Sequence, residues 1–367
     1  MCLDEFKDIT YNISDFQVNK DFILETYNNT IYNNIIIEYY KKLQEESRVF
    51  GHNTINNDKI KSIEGCNKMW LINTYHENRI KDFVSTNLCK DKFCNNCKKV
   101  KQAVRLSRYI PLLSKYKDNL YHIVFTQPNV CGKDLEICLK KMSSSFSKLI
   151  RIIRGNYRCF IDFSKYGFLG SVRSFETTFK KDVYHPHFHC AFAFNNLVLD
   201  KKVKNQYSYS NCNNEIRLFS EFEIILQKLW YMLYNDIPIT ENNFNILDIG
   251  YSVICDKFKD DDYIELFKYM TKSTNEDNEI LTYDNFKALY YALYNKKQIQ
   301  GYGCFYNITD DEITENEIEK IRASIRLFLD SDEQYTTDFE YLPSLLVDNE
   351  YTLISRKSIY EYLKKIK

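Results

Sequence analysis

The sequence has no excess of either charge: 50 lysines and arginines balance 50 aspartates and glutamates over 367 residues. Nucleic-acid binders are usually basic, so the total taken alone argues against one. No apolar run approaches the roughly 18 residues of a membrane span, and no membrane partner is expected. The opening residues Met1-Cys2-Leu3-Asp4-Glu5-Phe6-Lys7-Asp8 lack the basic start and apolar stretch of a secretory leader. Glycine (9) and proline (5) are scarce, and 44% hydrophobic with 27% charged residues is a globular composition, not a disordered one. The length allows one large domain or two to three smaller ones.

Aromatics are abundant, at 16% with 30 tyrosines and 25 phenylalanines. Asparagine, isoleucine and lysine recur with them, the mark of AT-rich coding, so a tyrosine is informative only by its position. The 12 cysteines stand in a long chain for which no leader is expected. Disulfides are not expected in a reducing compartment, which leaves metal ligation or burial.

The pattern divides the chain into four parts. Residues 1–60 are polar and Asn-rich, with one helix expected at Ile31 to Leu43, and read as an N-terminal extension. Residues 61–117 hold crowded cysteines and then a basic helix with Lys98, Lys99, Lys101, Arg105, Arg108, Lys115 and Lys117 and no acid. Residues 118–306 alternate strands and helices. Strands are expected at Tyr121 to Thr126, Gly167 to Phe179, His187 to Phe194 and Phe244 to Ile254. Helices are expected at Asp134 to Arg154, Phe219 to Leu233, Asp262 to Lys272 and Tyr283 to Tyr294. Residues 307–367 are acidic, with a helix expected around Glu312 to Leu329. Periodicity alone gives a mixed α and β chain.

Cys89-x4-Cys94-x2-Cys97 is a metal-ligand spacing, because a short CxxC loop can set two thiolates about 2.3 Å from one zinc ion. A tetrahedral site needs a fourth ligand. Cys66 is the nearest upstream cysteine and His76 competes with it. The bland alternative is three reduced cysteines packed as small apolar residues. Flanking Lys90, Lys92, Lys98 and Lys99 favour a module that faces nucleic acid.

Histidine is rare, yet three of the 6 fall in His185-Pro186-His187-Phe188-His189. On a strand, His187 and His189 share one face. Two imidazoles at that spacing can hold one divalent ion and leave its other positions open for phosphate oxygens. The plain alternative is a surface pair on a hairpin. Glu176 on the preceding strand is the candidate third ligand, pairing near His187, and a simple salt bridge is its competing reading. His185 could support the pair or touch DNA.

Glu265, Tyr269 and Lys272 fall on one helical face at i, i+4 and i+7. A tyrosine hydroxyl can attack a phosphodiester and leave a phosphotyrosine linkage. Lys272 could stabilise the developing charge, and Glu265 could later activate water. Alone the pattern is weak; it gains meaning by following the histidine strand.

Together these residues resemble the Rep_1 group of HUH endonucleases, the rolling-circle replication initiators of bacterial plasmids. The likeness runs from about Cys66 to Tyr302. It is carried by the cysteine set, by Phe125-Thr126-Gln127-Pro128-Asn129-Val130, by Phe175-Glu176-Thr177-Thr178, by Tyr184-His185-Pro186-His187-Phe188-His189 and by Glu265 to Lys272. The resemblance implies the HUH fold, classed α/β (or α+β), with a central mainly antiparallel sheet, flanking helices and an N-terminal zinc-binding module. It implies Mg²⁺ or Mn²⁺ on His187 and His189, with Glu176 as candidate third ligand, and zinc on Cys66, Cys89, Cys94 and Cys97. It implies that Tyr269 nicks one origin strand and keeps the 5′ phosphate, while the 3′ hydroxyl primes synthesis. Glu265 stands where some relatives carry a second tyrosine, which implies termination by hydrolysis. Plasmid origin DNA is the implied partner, with a host helicase and single-strand-binding protein, in a bacterial cytoplasm; a homodimer stays open. Asn95-Asn96 inside the CxxC loop, Gln127-Pro128, and the Asn-rich stretch from Asn195 to Asn214 depart from the family pattern.

Other readings remain: an HUH relaxase or transposase, a zinc-containing DNA-binding regulator without catalysis, or a hydrolase of small phosphoesters. The neutral total also changes meaning by segment. Lys98 to Lys181 carries 18 basic and 5 acidic residues, and Asn307 to Lys367 carries 14 acidic and 8 basic. A strongly basic block offset by acidic flanks is compatible with DNA contact.

Overall fold

The computed structural model describes residues 10–11, 20–50, 55–66, 69–74, 80–86, 88–196, 208–210, 216–247, 252–259, 261–267, 281–308 and 351–355. The chain begins β1 (Thr10–Tyr11), α1 (Lys20–Phe50), α2 (Asn57–Gly65), β2 (Met69–Thr74), β3 (Ile80–Thr86) and α3 (Asn95–Leu113). Next come β4 (Leu120–Thr126), β5 (Val130–Cys131), α4 (Gly132–Ile153), β6 (Phe168–Lys180), β7 (Val183–Phe194), β8 (Ser208–Ser210) and β9 (Ile216–Leu218). Then follow α5 (Glu221–Tyr234), α6 (Glu241–Ile246), β10 (Val253–Lys257), α7 (Asp262–Phe267), α8 (Tyr283–Ala292), β11 (Ile299–Gly303) and β12 (Tyr351–Ser355). These fall in two compact units, one within Met1–Ser107 and Ile313–Lys367, the other within Arg108–Glu312.

In the first unit, α1 buries Tyr32, Asn33, Ile36, Ile37, Tyr40, Leu43 and Gln44, a stripe at helical period. Asn56 caps α2, its side chain accepting from the Asp58 N–H. A four-stranded sheet runs in the order β1-β12-β2-β3.

The second unit is built on a six-stranded sheet in the order β10-β4-β7-β6-β11, with β5 pairing β7. Every pairing in it is antiparallel. Alternation along β4 and β7 sends Phe125, Phe188 and Phe192 to one face, where Phe146 of α4 meets all three rings at 5.4 to 6.1 Å. Trp230 of α5 completes this core, 5.1 Å from Phe125, and its Nε1–H donates to the Thr126 carbonyl. The Ser220–Glu223 capping box starts α5, and Glu223 Oε1 also accepts from the Cys255 N–H of edge strand β10. One helix start thus also anchors an edge strand. The opposite face of β4, β6 and β7 carries the polar residues considered below.

One expectation needs correcting. Phe244 to Ile254 is not a strand: Thr240 caps α6 by accepting from the Asn243 N–H, and the strand is confined to Val253–Lys257. Within residues 1–60, α1 buries a stripe and meets the cysteine turn through Asn33. In the C-terminal part β12 pairs antiparallel with β2; the helix expected around Glu312 to Leu329 lies outside the described residues. Among the described residues no helix is long and apolar enough to cross a membrane.

Candidate functional site

β6 and β7 form a hairpin whose turn places Lys181 in the left-handed region, φ 54°. The register that follows sets Glu176 directly opposite His187, and His189 opposite Ser174. Glu176 therefore reaches both histidines, one across the pair and one on the diagonal. Its Oε2 lies 3.2 Å from His187 Nε2 and 3.1 Å from His189 Nε2. All three side chains are largely buried, Glu176 at 5% exposure.

The far side of each ring fixes its proton. His187 Nδ1 lies 3.2 Å from the His185 carbonyl, which can only accept, so Nδ1 carries the hydrogen. His189 Nδ1 lies 3.2 Å from His122 Nε2, and His122 Nδ1 lies 3.0 Å from Asp262 Oδ1. The carboxylate takes a hydrogen from His122 Nδ1. Burial, opposed by Asp262, lowers the His122 pKa and favours its neutral form. Neutral His122 then accepts from His189 Nδ1–H. With Nδ1 turned to its own partner, each ring presents Nε2 to one carboxylate oxygen. Two imidazole nitrogens and a carboxylate oxygen converging in one buried space are a donor set that fits a divalent ion.

His122 and Asp262 were not singled out by the sequence as site residues. In the sequence Asp262 marks only the start of an expected helix, and it does open α7. Glu265 lies one turn further along α7. Tyr269 and Lys272 lie outside the described residues.

The cysteines form a second cluster. Cys66, Cys89, Cys94 and Cys97 place their four sulfurs within 4.8 Å of one another. Three contacts are 3.5 to 3.6 Å. A regular tetrahedron with metal–sulfur bonds of ~2.3 Å has edges of ~3.8 Å, so the four can coordinate structural zinc with little rearrangement. Donors already point at the sulfurs. The Lys90 N–H lies 3.2 Å from Cys97 Sγ, aimed by a left-handed Lys90 (φ 57°), and the Cys89 N–H lies 3.4 Å from Cys66 Sγ. Cys94 precedes the first turn of α3, and hydrogen bonding from Cys66 holds its thiol well below the ordinary value. His76, the competing fourth ligand, lies outside the described residues.

Lys98 does not face solvent. It is buried over the Tyr32 ring, 5.2 Å from its centroid, and burial pushes its ammonium down to about 7 against the pull of Cys94 and Asp91. Arg105 is buried as well. Two members of the basic helix are thus structural, while Lys115 and Lys117 are exposed.

Residues 81–208 match the model of the Rep_1 family, described as replication protein. A "Protein rep" of Staphylococcus aureus is 28% identical over 175 residues, covering 45% of this chain and 72% of that protein. No solved structure matches the chain. Over residues 81–208 the chain is thus similar to Rep_1 replication proteins, and over less than half of its length to the staphylococcal protein. That likeness supports a role in replication in general.

Proposed function

We propose that this chain initiates rolling-circle replication of a plasmid by nicking one strand of its origin. The observation that carries the reading is the convergence of His187 Nε2 and His189 Nε2 on Glu176 Oε2 within one buried space. A Mg²⁺ or Mn²⁺ ion held there would polarise a phosphodiester and offset its charge. Tyr269 is the nucleophile: its oxygen bonds to phosphorus, the bond to the 3′ oxygen breaks, and the chain keeps the 5′ phosphate while a 3′ hydroxyl is released to prime synthesis. Seven residues separate Asp262 from Tyr269, within ~20° of two full turns in a continuous helix, so helical continuation would bring both to one face. Lys272 offsets charge on the attacked phosphate, and Glu265 acts as base for the water that ends the cycle.

Zinc on the four cysteines holds the first unit together. Origin DNA is the partner, and a helicase and single-strand-binding protein of the host would extend the opened strand. The decisive test is adduct formation with a single-stranded origin oligonucleotide and Mn²⁺, with the modified residue located by mass spectrometry. Wild type is expected to become linked at Tyr269 and Tyr269→Phe to form no adduct. An adduct that persists in the variant overturns the assignment.

A further inference from the structure

We propose that His122 and Asp262 are positioning residues. From β4 and the start of α7 they hold the Nδ1 side of the His189 ring, aiming its Nε2 at Glu176 and tying the seating of α7 to occupancy of the ion site. The proposal rests on reading His187, His189 and Glu176 as a divalent-ion site.

The geometry has one direction. Asp262 Oδ1, an acceptor only, lies 3.0 Å from His122 Nδ1, and His122 Nε2 lies 3.2 Å from His189 Nδ1. The two imidazoles have centroids 5.4 Å apart and planes within 22°. Rings that close at one nitrogen pair, nearly coplanar and with centroids that far apart, meet edge to edge. That is the shape of an in-plane hydrogen bond, not of face stacking. The sheet explains the placement: Ala191 is the register partner of His122, two residues along from His189 on the same face. Burial strengthens such a chain, since the His122 and Asp262 side chains are 12% and 18% exposed.

Asp262 opens the helix that carries Glu265 and leads toward Tyr269. A cation on Nε2 withdraws electron density from the ring and makes its Nδ1–H a stronger donor. The bond to His122 tightens, and through it the bond to Asp262. Coupling between binding events is reciprocal, so a seated α7 raises ion affinity and a bound ion seats α7. Tyr263 also packs on Phe258, with centroids 4.9 Å apart, so α7 keeps an apolar anchor when the polar one is cut.

The test uses the full chain, with Mn²⁺ binding followed by electron paramagnetic resonance. Ring tautomers are read from ¹⁵N spectra of the ion-free protein, and hydrogen exchange is measured for residues 261–267 with and without Mn²⁺. His122→Leu and Asp262→Ala are expected to weaken Mn²⁺ binding about 10- to 100-fold and to abolish the slowing of exchange in α7. His122→Gln, which can accept from His189 and donate to Asp262, is expected to recover most of both. Wild-type affinity and exchange in both broken variants, with wild-type Mn²⁺ binding intact, overturn the positioning role alone. A wild type that binds no Mn²⁺ overturns the ion site and the positioning role together. Should His122→Leu not fold, Asp262→Ala carries the same outcomes.

Discussion

Asn33 donates its side-chain amide to Cys94 Sγ at 3.1 Å, joining the middle of α1 to the cysteine cluster across 61 positions of chain. Its Oδ1 accepts from the Asn95 N–H at 3.2 Å, so a single side chain serves both the sulfur and the first turn of α3. Two helical turns on, Tyr40 donates to Asp91 at 2.8 Å, and Asp91 in turn accepts from the Phe93 N–H. α1 is thereby pinned along the turn that carries Cys89 and Cys94. Replacing Asn33 by Ala is expected to destabilise the first unit by about 1–3 kcal/mol, because it strips donors from a buried sulfur and leaves a helix-start N–H unserved. Chemical denaturation of the zinc-loaded protein measures it.

Metal analysis of the purified chain is expected to give about one zinc per molecule, lost in Cys94→Ser/Cys97→Ser. Four thiolates on one zinc leave a net charge of about −2, which buried Lys98 partly offsets. Lys98→Met should then weaken zinc retention against a competing chelator. Zinc-free protein with native stability would remove the centre.

Glu176→Gln separates packing from ion binding. Its amide is isosteric with the carboxylate and can still hydrogen-bond the histidine nitrogens, so the apo protein should stay folded. Mn²⁺ affinity should fall about tenfold or more, and Mn²⁺ should no longer raise Tm. Mn²⁺ stabilising this variant as it does wild type would count against Glu176 as a ligand.

Glu265→Ala is expected to leave the first nick intact and to lose clean closure. Plasmid products would shift from monomeric circles to longer forms on gels. Normal release of monomers would remove the proposed base.

The acidic C-terminal part is expected to limit binding to random duplex. Truncation cannot test this, since it would remove β12 from the sheet order β1-β12-β2-β3. Changing Asp310, Asp311, Glu312, Glu315, Glu317 and Glu319 to Asn and Gln spares that strand. The neutralised chain should bind random duplex more tightly, with a steeper dependence on salt. Equal binding would refute the screening role.

Much of the Glu176–His187–His189 cluster was legible because strand and hairpin rules are local. Period-two alternation paired His187 with His189, and a turn near Lys181 fixes which residues face them. Lys180 pairs with Val183, so Glu176 must meet His187. His122 was illegible for a different reason. The register of β4 against β7 is set by packing of Phe125 on Phe146 and Trp230, which no spacing in the chain announces. Asp262 was seen for its helix-start role and missed for its side chain, because a local signal already explained it. Asn33 was hidden by composition, one asparagine in an Asn-rich stretch. Phe244 to Ile254 misled because its apolar residues were read without the capping threonine at 240.

The β6–β7 hairpin has unequal ends. One residue added within either arm, between Glu176 and Lys180 or between Val183 and His187, would carry Glu176 and His187 to opposite faces of the sheet, since side chains alternate at every step. At the other end, Phe194 lies five residues past His189, roughly 17 Å along the strand. Length can accumulate there without disturbing the register. The Asn-rich stretch of this sequence begins at that tolerant end, with Asn195, so divergence in loop length among related proteins should concentrate after the histidine strand and spare the turn before it.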